Sequence, residues 1–211
     1  MRLIIRSIKK RYDEATVLDK AGYTFESGTV YGLTGCKGAG KTTLLNCICG
    51  ECVPDNGYVR LDVGGGFFKA DYMDFGIVYD EPLLPENLTG GQYIKYLIDM
   101  HKPAGDSIAE YFENMSMDSE LINGYIGDYS DDEKQRLQLV GIMITSPAVI
   151  LMDEPKLKGK MYDVVRKFVD EMKKSHIIII ASEDEKRLKT IADEKILIEG
   201  GILSGNKVWE D

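Results

Sequence analysis

Long apolar runs are missing from this chain of 211 residues. The longest, at 149–152 and 177–181, fall far short of the roughly 18 residues that a membrane-spanning helix needs. The first ten residues hold only Leu3-Ile4-Ile5 before charge returns. That is no secretory core region, so a cytoplasmic protein is expected. Basic charge is scarce as well: 26 Lys and Arg stand against 35 Asp and Glu, a net charge of −9. Such a field repels polyanions and excludes sequence-independent binding to nucleic acid or anionic lipid. It does not exclude a small anion, since backbone amides and one or two cations suffice to hold a phosphate. Cysteine is confined to Cys36, Cys47, Cys49 and Cys52, and in a cytoplasmic setting no disulfide framework is expected. The run Cys47-x-Cys49-x-x-Cys52 ends an apolar helix and lacks a fourth ligand nearby, which favours buried packing over a metal site.

What remains is 44% hydrophobic and 29% charged, enough apolar material for one compact domain or a domain with a small appended lobe. Short apolar or β-branched runs at 3–5, 23–25, 30–33, 58–61, 76–79, 149–152, 177–180 and 195–198 read as strands. Helical spacing covers 41–49, 91–100, 108–115, 131–144, 161–172 and 185–191. The alternation predicts a mainly parallel sheet with helices on its faces. It breaks between about 83 and 146, where helical patterns have no convincing strand among them. That stretch is expected to be a helical lobe inserted into a core formed by about 1–82 and 147–211.

The most specific pattern is Gly35-Cys36-Lys37-Gly38-Ala39-Gly40-Lys41-Thr42-Thr43, a full G-x-x-x-x-G-K-[ST] between an expected strand and an expected helix. Gly35, Gly38 and Gly40 let the backbone fold into a nest of N–H donors around a β-phosphate. Lys41 supplies a charge between the β- and γ-phosphates, and the Thr42 hydroxyl is suited to Mg2+. A second acidic site follows the strand at 149–152, in Asp153-Glu154-Pro155. Strand ends at the carboxyl edge of such a sheet are where ligands sit. Asp153 is therefore the expected holder of Mg2+ through water, and Glu154 the group that polarises an attacking water.

These motifs resemble the nucleotide-binding subunit of ATP-binding cassette (ABC) transporters, over almost the whole chain. Residues 35–43 are similar to the family's Walker A and 149–155 to its Walker B. Tyr12 stands where the family stacks an aromatic on adenine. Ser130, in Tyr129-Ser130-Asp131-Asp132-Glu133-Lys134-Gln135-Arg136-Leu137, stands at the signature, and Gly200-Gly201 closes a late hairpin. The segment 85–90 resembles the export-type branch. The resemblance implies a P-loop NTPase core with a mainly parallel sheet, an N-terminal antiparallel β lobe and an inserted helical lobe. It also implies ATP and Mg2+ as ligands, a separate transmembrane permease, a location on the inner face of the cell membrane, and no nucleic acid. The implied assembly is a homodimer or a heterodimer with another ATP-binding subunit, each ATP lying between one Walker A and the other chain's signature. Nucleotide kinases usually begin with their phosphate loop, and a DNA-repair relative would need a long coiled coil where only 50 residues separate Asp80 from Ser130.

Four positions depart from the family pattern. Asp80 replaces a Gln, and a carboxylate can still ligate Mg2+. Glu183 occupies the place of the switch His. Ionised, it cannot donate to a γ-phosphate and repels one. His101 and His176 fall elsewhere and are expected at the surface. Asp131 and Asp132 replace the two signature glycines; at roughly 5 Å and an effective dielectric of about 20, each carboxylate costs about 3 kcal/mol against a phosphate charge. Ser130-x-x-Glu133 is also a capping box. Last, 156–160 lacks the Asp that bridges the family's dimer. An ATP-binding subunit with weakened closure and slow hydrolysis is expected; the alternatives are a non-hydrolysing regulatory subunit and a phosphotransferase.

Overall fold

A computed structural model describes residues 1–103, 107–206 and 209. Residues 104–106 of the expected helical lobe and 207, 208, 210 and 211 of the expected core lie outside the described residues. Two long strands, β1 (Arg2–Tyr12) and β2 (Ala15–Glu26), open the chain. β3 (Val30–Thr34) leads into α1 (Lys41–Cys49), and β4 (Asn56–Val63), β5 (Gly66–Lys69) and β6 (Phe75–Val78) follow. Helices α2 (Gly90–His101), α3 (Ile108–Asn114) and α4 (Asp131–Thr145) come next. β7 (Val149–Asp153), α5 (Gly159–Met172), β8 (Ile177–Ala181), α6 (Glu185–Leu188), β9 (Glu194–Glu199) and β10 (Ile202–Asn206) complete the order.

The strands form two sheets. One is antiparallel, β2-β1-β4-β5; the other runs β10-β9-β3-β8-β7-β6 and is parallel except for β10. β3, β7 and β8 are buried along nearly their whole length, as a sheet covered on both faces requires. Alternation divides their side chains between two cores. Val30, Ile150, Ile178 and Ile180 pack with α4 and α5, whereas Tyr31, Leu33, Leu151 and Ile179 pack with α1 and the β1–β2 hairpin. The five parallel strands, β9, β3, β8, β7 and β6, bring their carboxyl ends to one edge of the sheet, and the candidate site lies there.

β1, paired on both sides, and β2, paired with β1 along its whole length, run well beyond the apolar triplets at 3–5 and 23–25. β5 was not expected, and β10 only as the second arm of the hairpin that 200–201 closes; both are sheet-edge strands, bonded along one side only. The helix expected over 185–191 ends at Leu188, after which Thr190 and Ile191 donate to Arg187 and Leu188 in tighter three-residue turns. Between β6 and β7 the structure has α2, α3 and α4 with short 3-10 turns at Ser119–Ile122 and Ile126–Asp128, and one isolated bridge, Thr89 to Tyr125. His101 is exposed, but His176 is a correction to the expected surface position: it is only 8% exposed. Its ring bonds Ser146 Oγ at 3.2 Å, Ser175 Oγ at 2.9 Å and the Met172 carbonyl at 2.9 Å. Met172 and Ser175 sit where α5 turns into β8 and Ser146 caps the end of α4; together they satisfy a polar ring that burial would otherwise penalise.

The start of α2 is packed without slack. Gly90 is buried, and a Cβ there would lie 2.8 Å from the Phe112 ring and 3.0 Å from the Leu121 carbonyl, on top of the Tyr129 hydroxyl that donates to Leu121. Gly90→Ala is expected to lower unfolding free energy by about 1–3 kcal/mol, the cost of overpacking a filled interior. Urea titration checks it; a midpoint equal to that of the parent chain would show that the contact of α2 with Phe112, Leu121 and Tyr129 has room.

Candidate functional site

The phosphate loop joins β3 to α1, and two residues set its shape. Gly38 and Gly40 have φ of 79° and 103°, a region closed to most side chains, and a Cβ on Gly40 would come within 2.9 Å of Val17. Ala39 N–H donates to the Cys36 carbonyl at 3.0 Å. α1 then begins on Gly40 with no side-chain cap and no acid in its first turn. α2, α3 and α4 begin differently, each with a reciprocal capping box: Thr89 with Gln92, Ser107 with Glu110, and Ser130 with Glu133. Those boxes satisfy helix-start donors internally, while the start of α1 is left to an external anion.

Lys41 is buried, 6% exposed, at the centre of a ring of oxygens. Its ammonium donates to the Gly35 carbonyl at 3.1 Å and pairs with Glu154 Oε1 at 3.6 Å and Glu183 Oε1 at 3.7 Å. Glu154 directly follows β7 at a φ of 44°, and its N–H donates to the Ala181 carbonyl at 2.9 Å. Its Oε2 accepts the Glu183 N–H at 2.9 Å. Lys41, Glu154 and Glu183 thus come from three separate segments into one network.

Asp153 lies beside them at the end of β7. Burial pushes its carboxyl up, with the Asp80 charge adding to the shift, while a hydrogen bond from Thr42 and the charge of Lys41 oppose it. Its Oδ1 is buried and has no hydrogen-bond partner. An orphaned carboxylate oxygen next to a threonine hydroxyl is a pair of hard donors, and it fits Mg2+, which keeps waters and substrate phosphates as its other ligands. Among the described residues no group of three His, Cys, Asp or Glu side chains could hold an ion alone. Asp80 is exposed at the end of β6. Tyr12, the last residue of β1, is half-exposed, and its hydroxyl lies 3.5 Å from Cys52 Sγ.

A profile of the ABC transporter family matches residues 18–157. The chain belongs to the ABC transporter family. The glucose import ATP-binding protein GlcV of Saccharolobus solfataricus is 26% identical over 98% of this chain and 63% of its own length. The chain therefore spans less than two thirds of that relative. The uncharacterized ABC transporter ATP-binding protein YybJ of Bacillus subtilis is 27% identical over 94% of this chain and 93% of its own length. In fold, the chain matches the solved ATP-binding subunit of an ABC transporter with a TM-score of 0.83 at 19% identity, covering 99% of this chain and 90% of that one. It matches a dimeric ATP-binding cassette in a post-hydrolysis state with ADP and Pi with a TM-score of 0.83 at 18% identity, covering 99% and 100%. The fold of this ABC protein is thereby the expected one, with an antiparallel sheet, a mainly parallel sheet and helices.

Ser130, expected at the signature position, is occupied internally. Ser130 Oγ donates to Glu133 Oε2 at 2.6 Å, and Ser130 N–H donates to the same oxygen at 2.7 Å. Asp131 and Asp132 are not the uncompensated pair that the sequence implied. Lys156 Nζ stands 3.3 Å from a carboxylate oxygen of each, and Lys156 N–H donates to the buried Gln135 Oε1 at 3.1 Å. One lysine therefore offsets about half of that negative charge, and the charge penalty against a phosphate falls below the sum of two carboxylates. Lys156 was legible only as a loss, the missing Asp of 156–160. Gln138 was missed altogether: it accepts Tyr79 N–H at 3.0 Å and donates to the Tyr79 carbonyl at 3.3 Å, tying α4 to the segment that carries Asp80. Arg136, also buried, donates to the Met115 and Ser116 carbonyls at 2.6 and 3.1 Å. A buried Gln and Arg on an apolar helix face are the available signal for both contacts.

Proposed function

We propose that this chain is the ATP-binding subunit of an ABC transporter, that it binds Mg-ATP at the start of α1, and that it hydrolyses ATP slowly. The loop shaped by Gly38 and Gly40 ahead of an uncapped, acid-free α1, with Lys41 buried at its mouth, carries this reading; α5 is uncapped too but has no glycine loop ahead of it. Backbone amides of 35–43 and the Lys41 ammonium bind and orient the phosphates, which requires Lys41 to exchange its carboxylate partners for phosphate oxygens. Thr42 and Asp153, with Asp80 nearby, would hold Mg2+, which neutralises phosphate charge when bound. Glu154 takes a proton from the attacking water, and Tyr12 stacks on the base. Ser130 would act on the nucleotide of a second subunit, once Glu133 has released it.

Slow turnover follows from two features. Glu183 competes with phosphate for Lys41 and supplies no side-chain donor in its ionised state. The start of α4 satisfies its own donors and retains a net negative charge. The subunit is proposed to act as a homodimer or heterodimer beside a separate permease on the inner face of the cell membrane; no helix among the described residues is long and apolar enough to cross one. Segment 85–90 favours export, whereas relatives such as the glucose and Fe(3+) ion import proteins are named for import. The two signature acids favour a second reading, a regulatory subunit that binds ATP without hydrolysis. Steady-state phosphate release separates the two: release above background sinks the regulatory reading, and bound ATP with none sinks slow hydrolysis. Asp131→Gly with Asp132→Gly is expected to lower the ATP concentration for dimerisation about tenfold, read by light scattering. An unchanged concentration would remove the signature from the account.

A further inference from the structure

Outside the phosphate site, one group of side chains is used by no step above. Cys52 follows α1, and its N–H donates to the Asn46 carbonyl at 3.0 Å, so the chain folds back on the residue before Cys47. The two cysteines line the same cleft of ≈ 480 Å³ between α1 and β4. Cys47 is buried, and Cys52 is half-buried at the cleft wall. Cys52 Sγ also meets the Tyr12 hydroxyl at 3.5 Å, and the Lys10 ammonium lies 5.4 Å above the Tyr12 ring while bonding the Val53 carbonyl at 2.9 Å.

We propose that Cys52 and Cys47 are a peroxide-reactive dithiol whose closure to a disulfide releases Tyr12 and weakens nucleotide binding. The second half of this proposal rests on the reading of Tyr12 as the adenine contact. The roles divide by environment. Burial alone would push the Cys52 thiol up, but hydrogen bonds with Tyr12, Lys10 and Cys47 outweigh it and leave the thiol below its ordinary value. Burial pushes Cys47 up to about 12. Thiolate character with access selects the attacking sulfur, which is Cys52, and Cys47 resolves it. The Cys52 thiolate attacks one oxygen of hydrogen peroxide, the O–O bond breaks, and the departing hydroxide takes a proton to leave as water. The Cys47 sulfur then attacks the Cys52 sulfenic acid, the S–O bond breaks, the S–S bond forms, and a second water carries off the Cys47 proton. Two thiols lose two electrons to one peroxide. Once Cys52 Sγ is bonded to Cys47, its contact with the Tyr12 hydroxyl is lost.

The test is peroxide treatment of the whole chain, alkylation and peptide mass spectrometry, with ATP affinity measured on the same samples. Expected are a Cys47–Cys52 disulfide that dithiothreitol reverses, and an ATP Kd about fivefold weaker when oxidised. Cys47→Ala should accumulate a dimedone-reactive Cys52, and Cys52→Ser, a change at a half-buried loop residue, should keep its ATP affinity under peroxide. Cys52 still free after Cys36 has oxidised would overturn the proposal. So would a disulfide that leaves ATP affinity unchanged in a chain whose Tyr12→Ala variant weakens it. If Tyr12→Ala has no effect on ATP affinity, the adenine contact is what fails, and formation or absence of the disulfide alone decides for or against the dithiol.

Discussion

Glu154→Gln should reduce phosphate release from Mg-ATP by 100-fold or more while ATP affinity stays within a few-fold. General-base catalysis contributes about 10²–10⁴ in rate, and the substitution removes the base while preserving the shape around it. Glutamine can still accept the Glu183 N–H through its side-chain oxygen, the bond that now holds Glu154 at 2.9 Å. The backbone at Glu154, at a φ of 44° and bonded to the Ala181 carbonyl, is unaffected by the exchange of one side-chain oxygen for nitrogen. Lys41 would lose a carboxylate neighbour at 3.6 Å, which if anything frees it for phosphate. Binding and turnover should therefore separate. Steady-state phosphate release with equilibrium ATP binding on both proteins is the measurement. A fall of less than about fivefold would place the base elsewhere, and the only other carboxylate contacting Lys41 among the described residues is that of Glu183.

The phosphate loop was readable because its chemistry is local. Glycines at fixed offsets dictate positive φ, and Lys41 and Thr42 follow them immediately in sequence. The parallel sheet was readable for a similar reason, since continuous apolar runs at 149–152 and 177–180 mark strands buried on both faces. The short strand β5, Gly66–Lys69, gave no such signal, because four residues hold too few positions to show an alternation. Contacts between distant segments were also hidden. Nothing in the spacing of residues 156 and 131 shows that Lys156 folds back onto the signature acids, or that Gln138 closes on Tyr79. The burial of His176 depends on three partners from two elements, and a polar ring is given no interior position by pattern alone. The resemblance put Glu183 in the place of the switch His and implied repulsion of phosphate; the structure adds an ion pair between Glu183 and Lys41.

That contact makes Glu183→His the substitution expected to raise activity most. Two unit charges about 4 Å apart interact by about 4 kcal/mol at an effective dielectric of 20. The Glu183 side chain is 51% exposed, so solvent and salt reduce its hold on Lys41 to about 1–2 kcal/mol. Removing it should strengthen the competition of phosphate for Lys41 by roughly tenfold. A neutral imidazole adds a donor where the carboxylate had none, and a donor that meets charge developing in the transition state acts on turnover as well as on binding. The two contributions can be separated. Glu183→Gln removes the charge and offers an amide donor with different reach, so it should recover the gain in ATP affinity but a smaller part of the gain in kcat. Both variants keep the backbone N–H that holds Glu154, so the base stays in place. The expected result is a rise of about tenfold in kcat/KM for Glu183→His, with ATP affinity improved in both variants. If ATP affinity is the same in all three proteins, the Lys41–Glu183 pair does not compete with nucleotide, and slow turnover must be traced to the start of α4 and its clamp by Lys156.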